Sequence, residues 1–178
     1  DARINIRGFD ARNVAVMING VPVNDMENGW VYWSNWAGLS DATRSVQVQR
    51  GLGASKIAVP SIGGTINILT KTTDVEKGGN VFYALGNDGY VKEGFTVSTG
   101  LSDNGWAFTV AGSQTTGDGF VDGTEFEAYA YYANVSKQVS NKHRLSLSVV
   151  GAPQWHGQRS SSMKIADYKS SPSGIKYN

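Results

Sequence analysis

The chain has no cysteine among its 178 residues, which excludes disulfides, thiolate metal sites and thiol catalysis. It is also poor in charge, at 17% against roughly a quarter in an average soluble chain. Its 16 basic and 15 acidic residues are spread evenly, for a net charge of +1. There is no basic stripe to hold nucleic acid and no acidic tail to act as a solvated arm. Long apolar runs are missing too. The longest, "VAVMI" from Val14 to Ile18, falls far short of the ~18 residues of a spanning helix. No secretory signal is present, but "DARINIRGFD" reads as the middle of a strand. The N-terminus therefore reads as cut, and the missing signal says nothing of the compartment. What the chain has in plenty is glycine, 22 residues, and aromatics, 11%. That mixture suits a β protein rich in turns or a membrane barrel.

Two halves follow different rules. Up to about residue 74 the pattern is mixed: "INIRGF" and "NVAVMINGVPV" read as short strands, the second broken by the turn residues Asn19-Gly20. A tryptophan-rich stretch, "NGWVYWSNWAG", follows. Ser40-Asp41 then reads as the cap of a helical turn leading into "RSVQVQRG", and "GGTINILTK" reads as another strand. From about residue 80 five segments alternate with period two. Val81, Tyr83 and Leu85 share a face, as do Phe95 and Val97, then Trp106, Phe108 and Val110, then Tyr129, Tyr131 and Val135, and finally Leu145, Leu147 and Val149. The opposite faces carry Gly94, Thr96 and Ser98, then Ala107, Thr109 and Ala111, then Asn134 and Ser136, then Ser146 and Ser148.

A soluble sandwich alternates in the same way. Two features favour a transmembrane barrel. "SDNG" and "SNKH" are tight connections, whereas "GDGFVDGTEFE" and the tail after Gly151 are long, as in outer-membrane barrels. Aromatics also sit at strand ends, Trp106 after a short turn and Tyr129 and Tyr131 after a long loop, where amphipathic rings anchor at interfaces. Five strands cannot close, and an open edge in lipid leaves backbone groups unpaired at a cost of several kcal/mol each. The expected fold is thus a segment of a large antiparallel transmembrane β-barrel, continued in residues beyond this chain.

The first half then becomes specific. Arg7-Gly8-Phe9, Asn19-Gly20-Val21-Pro22, Arg50-Gly51 and Gly63-Gly64-Thr65-Ile66-Asn67-Ile68 occur in that order. This succession resembles the plug domain of TonB-dependent outer-membrane receptors, with Asn19 in place of the family's usual Asp. The resemblance implies an α+β plug domain at residues 1–74 inside the lumen of a barrel of about 22 strands. Residues 75–178 would hold the first five or so of those strands. The tryptophan-rich loop looks closest to the Bacteroidetes branch.

The resemblance also assigns the candidate sites. It places the segment after Gly20-Val21-Pro22 at the apex of the plug, beneath the extracellular vestibule, with Trp30, Tyr32, Trp33, Asn35 and Trp36 as ligand-binding candidates. Aromatic rings flanked by amides suit sugar faces or aromatic chelators; the bland alternative is that the rings pack on the plug's own sheet. Arg7 and Arg50 would anchor the plug by pairing with glutamates on the barrel wall, with partners expected beyond Asn178. Asp118, Asp122 and Glu125 lack the ligand spacing of a calcium loop. His143 and His156 have no partner at zinc spacing. "GLGASK" lacks the strand-to-helix setting of a phosphate loop, and the Asn134-Val135-Ser136 sequon lies within a predicted membrane strand. No metal, no cofactor and no catalytic set are expected.

The function the resemblance implies is energised, TonB-dependent uptake of a scarce ligand at the bacterial outer membrane: a siderophore or metal chelate, a vitamin or a glycan. Expected partners are the TonB–ExbB–ExbD complex, outer-membrane lipid, a surface lipoprotein and a small-molecule or oligomeric ligand. Two other readings stay open: a receptor-like barrel serving as scaffold in a surface secretion or adhesion assembly, and an outer-membrane barrel hydrolase.

Overall fold

The computed structural model describes residues 4–36, 38–51, 61–73, 75–159 and 163–178. Asp74, where the two halves were expected to meet, and residues 52–60, which hold most of "GLGASK", lie outside them.

The first half builds a four-stranded sheet. Its strands are β1 (Val14–Ile18), β2 (Val21–Pro22), β3 (Thr43–Arg50) and β4 (Gly64–Thr70), in the order β2-β1-β4-β3. β1 pairs in parallel with β4, which explains its unbroken apolar run, since a central parallel strand is covered on both faces. Asn19-Gly20 makes the β1–β2 turn with φ of 51° and 82°, the left-handed pair that a tight hairpin requires. The Asn19 amide then ties that turn to β4, donating to Thr70 Oγ1 at 2.8 Å and accepting from the Thr70 N–H at 2.9 Å. Val14, Val16, Val31, Leu39, Ile66 and Ile68 form the core over this sheet.

Two local expectations change here. "INIRGF" is not a strand: Arg7 and Gly8 both take positive φ, and Phe9 N–H donates back to Ile6 C=O at 2.9 Å, closing a tight turn. Helix α1 (Leu39–Ala42) contains Ser40 and Asp41 within it rather than at its start; the cap position is Gly38, with no side-chain cap. The reason is packing. Leu39 and Ala42 are the buried residues of α1, which brings Asp41 round to face the wall described next.

The second half is an antiparallel wall: β5 (Gly78–Leu85), β6 (Val91–Ser98), β7 (Trp106–Gly117), β8 (Phe126–Gln138), β9 (Arg144–Gly151) and β10 (Gln154–His156). β10 lies in what the sequence marked as loop. It pairs with β8 in the register β9 already uses, Tyr131 opposite Gly151 and Ala128 opposite Gln154. β9 and β10 are one strand interrupted at Ala152-Pro153, where proline has no N–H to give the ladder. The wall is therefore five strands wide and open at both edges. Farther on, Ile165–Ser170 forms helix α2 and Gly174–Lys176 a 3₁₀ turn, and Lys176 pairs with Asp88 at 3.5 Å. The contrast in loop length is less regular than expected. The turns Ser102–Gly105 and Ser140–His143 are tight, but the connection Gly86–Tyr90 at the other end is tight as well, closed by Gly86 N–H to Tyr90 C=O.

Amphipathicity decides the nature of this wall. Val81, Phe95, Val97, Phe108, Val110, Leu145 and Leu147 are exposed, while Thr96, Ser98, Thr109, Asn134 and Ser136 are buried. A soluble sheet does the reverse, and an apolar exterior over a small polar interior is the arrangement of a membrane barrel wall. The buried polar face is satisfied. Asn134 donates to Ser146 Oγ and Ser148 Oγ at 2.8 Å each, and Thr109 donates to Ser98 Oγ at 3.2 Å. The pairings from β5 to β9 run without a bulge, and rings lie directly opposite glycines: Phe82 against Gly94, Phe95 against Gly112, Tyr131 against Gly151.

Candidate functional site: the apical loop and its seat on the wall

The loop after β2 is held by one buried amide. Asn24 accepts from Val16 N–H at 2.8 Å and donates to Val14 C=O and Gly29 C=O at 3.0 Å each. In doing so it occupies β1's free edge as a strand would, and it fixes where the loop leaves the sheet. Asp25 Oδ1 then receives the N–H groups of Glu27 and Asn28 at 2.9 and 3.0 Å, folding the next residues into an Asx-type turn. Asn28 continues the series, its Oδ1 accepting from Trp30 N–H at 2.9 Å and its Nδ2 donating to Tyr32 OH at 3.0 Å.

The aromatic residues divide between two roles. Trp33–Trp36 is a 3₁₀ turn, the conformation that puts residues three apart on one side. Trp33 and Trp36 are half-buried on that side, packed against the core cluster. Trp30 lies apart, under the Arg12 guanidinium at 5.2 Å from its ring centre. Tyr32 and Asn35 are exposed. The three indoles thus do not lie together: Trp33 and Trp36 pack on the core, Trp30 lies half-buried against Arg12, and Tyr32 and Asn35 are the exposed residues of the stretch 30–36.

The loop leads into a seat on the wall that sequence reasoning missed. Asp41 on α1 receives Lys92 Nζ on β6 at 2.9 Å and Ser113 Oγ on β7 at 2.9 Å. Lys92 and Asp41 side chains are only 20% and 13% exposed, so the pair is partly desolvated and removing either partner would leave the other charge poorly hydrated. Tyr132 on β8 donates to Lys71 C=O at 2.9 Å. Ala42 packs with Ala111 and Tyr132, and at Gly38 an added Cβ would stand 1.9 Å from the Ala130 Cβ. The small residues of the inner wall are what let the first half approach this closely. Arg7 and Arg50, by contrast, are exposed, and among the described residues neither has an acidic partner. Among the described residues no three His, Asp or Glu side chains cluster as a metal site would require.

Across the seat, a gap of about 680 Å³ separates the β1–β2 hairpin from β9, lined by Asn19, Val21, Trp36, Arg44, Ser146 and Ser148 among others. Thr73, just past the end of β4, accepts from Arg144 at the start of β9 at 3.0 Å, β1 runs parallel to β4, and Gly38 lies against Ala130, nearer the opposite end of the wall. β1 therefore runs toward the Ser140–His143 turn, and the chain rises again after Gly20 to deliver the aromatic loop.

A sheet seated by an α-turn against the polar face of an apolar-sided wall defines a plug held inside a barrel segment. The comparisons agree. Residues 1–65 match the TonB-dependent Receptor Plug Domain. A vitamin B12 transporter, BtuB, of Photobacterium profundum is 30% identical over 152 residues, covering 81% of this chain and 25% of its own. A probable TonB-dependent siderophore receptor, PirA, of Acinetobacter baumannii is 29% identical over 112 residues, 58% of this chain and 15% of its own. The chain thus spans a quarter or less of these relatives. Among solved structures, the siderophore receptor PiuA from Acinetobacter baumannii superposes with a TM-score of 0.64 at 21% identity, over 83% of this chain and 20% of that one. The ferripyoverdine receptor of the Pseudomonas aeruginosa outer membrane gives 0.64 at 20% identity, over 81% and 19%. These likenesses establish the fold, a plug with the adjoining barrel strands.

Proposed function

We propose that the chain is the plug-and-first-strands portion of an outer-membrane receptor that takes up a scarce ligand with energy supplied through TonB–ExbB–ExbD. The protein sits in the bacterial outer membrane, with the apolar face of β5–β10 against lipid and the polar face against the plug. The observation that carries this reading is the inverted wall: an apolar exterior and a buried polar interior on which the first-half sheet is seated. The division into plug and wall falls at about residues 74 and 75. The ligand is a small metal chelate, a vitamin or a glycan, captured at the apical loop by Tyr32, Asn35 and the Trp30–Arg12 stack, with Trp33 and Trp36 supporting them from the core. Arg7 and Arg50 anchor the plug to acidic groups on strands beyond Asn178. A surface lipoprotein is a further partner in this proposal, and the affinity to the Bacteroidetes branch rests on the tryptophan-rich loop alone.

The reading is one of transport and not of catalysis. It is tested by following accumulation of radioiron chelates and of cobalamin in cells that carry the full-length receptor. Uptake that depends on the receptor and stops when the proton gradient is collapsed is expected for at least one of them. Accumulation of either that survives collapse of the gradient would refute energised transport.

A further inference from the structure

The outer face of the wall is not apolar over its whole height. Along β7 the outward residues run Trp106, Phe108, Val110 and Gly112, and then Gln114. Gln114 belongs to a row that crosses four strands: Tyr83 lies opposite Glu93, Glu93 opposite Gln114, and Gln114 opposite Tyr129. The step from Trp106 to Gln114 covers ~27 Å along the strand and, at a tilt of ~40°, about 21 Å across the membrane, against an apolar band of about 25 Å. With Trp106 at one interface, this row stands at the other, where lipid head groups begin.

A hollow of about 750 Å³ opens on this face beside the row. Gly112 leaves it without a side chain between Phe95 and Tyr131, its neighbours on the two adjoining strands, and Glu93, Gln114 and Tyr129 stand at its polar end. β6, β7 and β8 are each flanked on both sides by strands of this chain, so strands that complete the barrel extend the wall at its edges and leave the hollow in place. The polar groups at its mouth accept and do not donate. Tyr129 OH donates to Glu127 Oε1 at 2.6 Å, and Gln114 Nε2 donates to Glu127 Oε1 at 2.8 Å and to Tyr129 OH at 3.1 Å. Oxygen is what remains open: Gln114 Oε1, the second oxygen of Glu127, and the Glu93 carboxylate, which has no side-chain partner among the described residues. Lys92, next to Glu93 in the chain, is turned to the inner face and held by Asp41.

We infer that this hollow binds a membrane lipid whose head group ends in a primary ammonium, as in an ethanolamine phosphate. The acyl chain lies over Gly112 between Phe95 and Tyr131, and the ammonium donates to Glu93 and Gln114. A primary ammonium brings three donors and a positive charge to a mouth made of acceptors and two carboxylates. A choline head group has the charge but no N–H, and a phosphoglycerol head group has donors but adds negative charge beside Glu93. The inference rests on the reading of the outer face as lipid-facing.

The test uses the full-length receptor in vesicles of a choline lipid that contain a trace of an ethanolamine lipid with a diazirine in its acyl chain. After illumination, labelled peptides are located by mass spectrometry. Labelling is expected on the peptides that carry Phe95, Gly112 and Tyr131, and unlabelled ethanolamine lipid should displace it while further choline lipid and a glycerol lipid do not. Glu93→Gln should lower that labelling several-fold, whereas Asp103→Asn, the matching loss of charge in the turn at the other end of the wall, should leave it unchanged. Heat-modifiable migration on gels confirms that each variant is folded. Displacement by all three lipids alike, or labelling that is indifferent to Glu93→Gln, overturns the inference. A receptor that is labelled nowhere on the outward residues of β5–β9 refutes the lipid-facing wall itself, and the inference falls with it.

Discussion

Replacing Asn24 with alanine should loosen the plug more than any other polar change in the apical loop. The side chain is 8% exposed and makes three hydrogen bonds to backbone, at 2.8 Å to Val16 N–H and 3.0 Å to the carbonyls of Val14 and Gly29. Val14 and Val16 are buried, so their two backbone groups lose their partner with little access to water, at about 1–3 kcal/mol each. The Gly29 carbonyl lies in a half-buried region that water reaches, and it adds little. The sum is about 2–6 kcal/mol, against a total stability of about 5–15 kcal/mol for a typical domain. Asn24→Ala should therefore cut the urea midpoint of plug unfolding in the full-length receptor, read through the fluorescence of Trp33 and Trp36 at the core. Asn24→Asp is the informative control. It keeps the acceptor for Val16 N–H but sets a carboxylate against two carbonyl oxygens, and it should be at least as damaging as alanine. A loss below about 0.5 kcal/mol for Asn24→Ala, the level of an ordinary surface change, would refute the view that this amide completes the edge of β1.

Two further outcomes follow from the same geometry. Leu147 is 68% exposed on the outer face and Ser148 hydrogen-bonds to Asn134 on the inner one; arginine at Leu147 should cost about 2–4 kcal/mol if it lies mid-bilayer and distinctly less at Ser148, measured by reversible folding into lipid vesicles, with equal penalties counting against a membrane wall. Trp33→Ala should lower plug stability by about 1–3 kcal/mol while Tyr32→Ala leaves stability unchanged and weakens ligand capture in whole-cell binding of ferric chelates; a Trp33 variant that is stable and fails to bind would reverse these roles.

Much of the wall was legible because its signal is local. Period-two alternation needs only that neighbouring side chains point to opposite faces, and all five segments from Val81 to Val149 appear as strands. The same rule misled at "INIRGF", where apolar alternation is present but Arg7 and Gly8 adopt positive φ and close a local turn from Ile6 to Phe9. It also missed β10, since Pro153 reads as the end of a strand and not as an interruption of one. The tryptophan spacing of three matched the 3₁₀ turn, yet spacing alone does not say which side of such a turn is wet. The seat could not be read at all. Asp41 and Lys92 are 51 residues apart; Asp41 reads as part of a helix cap and Lys92 as a surface charge until the wall is built. Asn24 is hidden for a related reason, because a buried asparagine and a loop asparagine look alike in a sequence.

The ring-over-glycine pairs of the wall bear on how such a protein is assembled. Phe82, Phe95 and Tyr131 each lie against a glycine on the next strand, the first on the inner face and the other two on the outer, and at Gly94, Gly112 and Gly151 an added Cβ would approach those rings to between 2.1 and 3.0 Å. A hairpin that slipped by two residues would keep every apolar side chain on the correct face, so hydrophobicity alone does not reject it. It would, however, drive each of these rings against a side chain in place of a bare backbone. Strand alignment during insertion is thereby checked twice over, by lipid for odd slips and by steric fit for even ones. The glycines that make the sequence look loose are what make its zippering unforgiving.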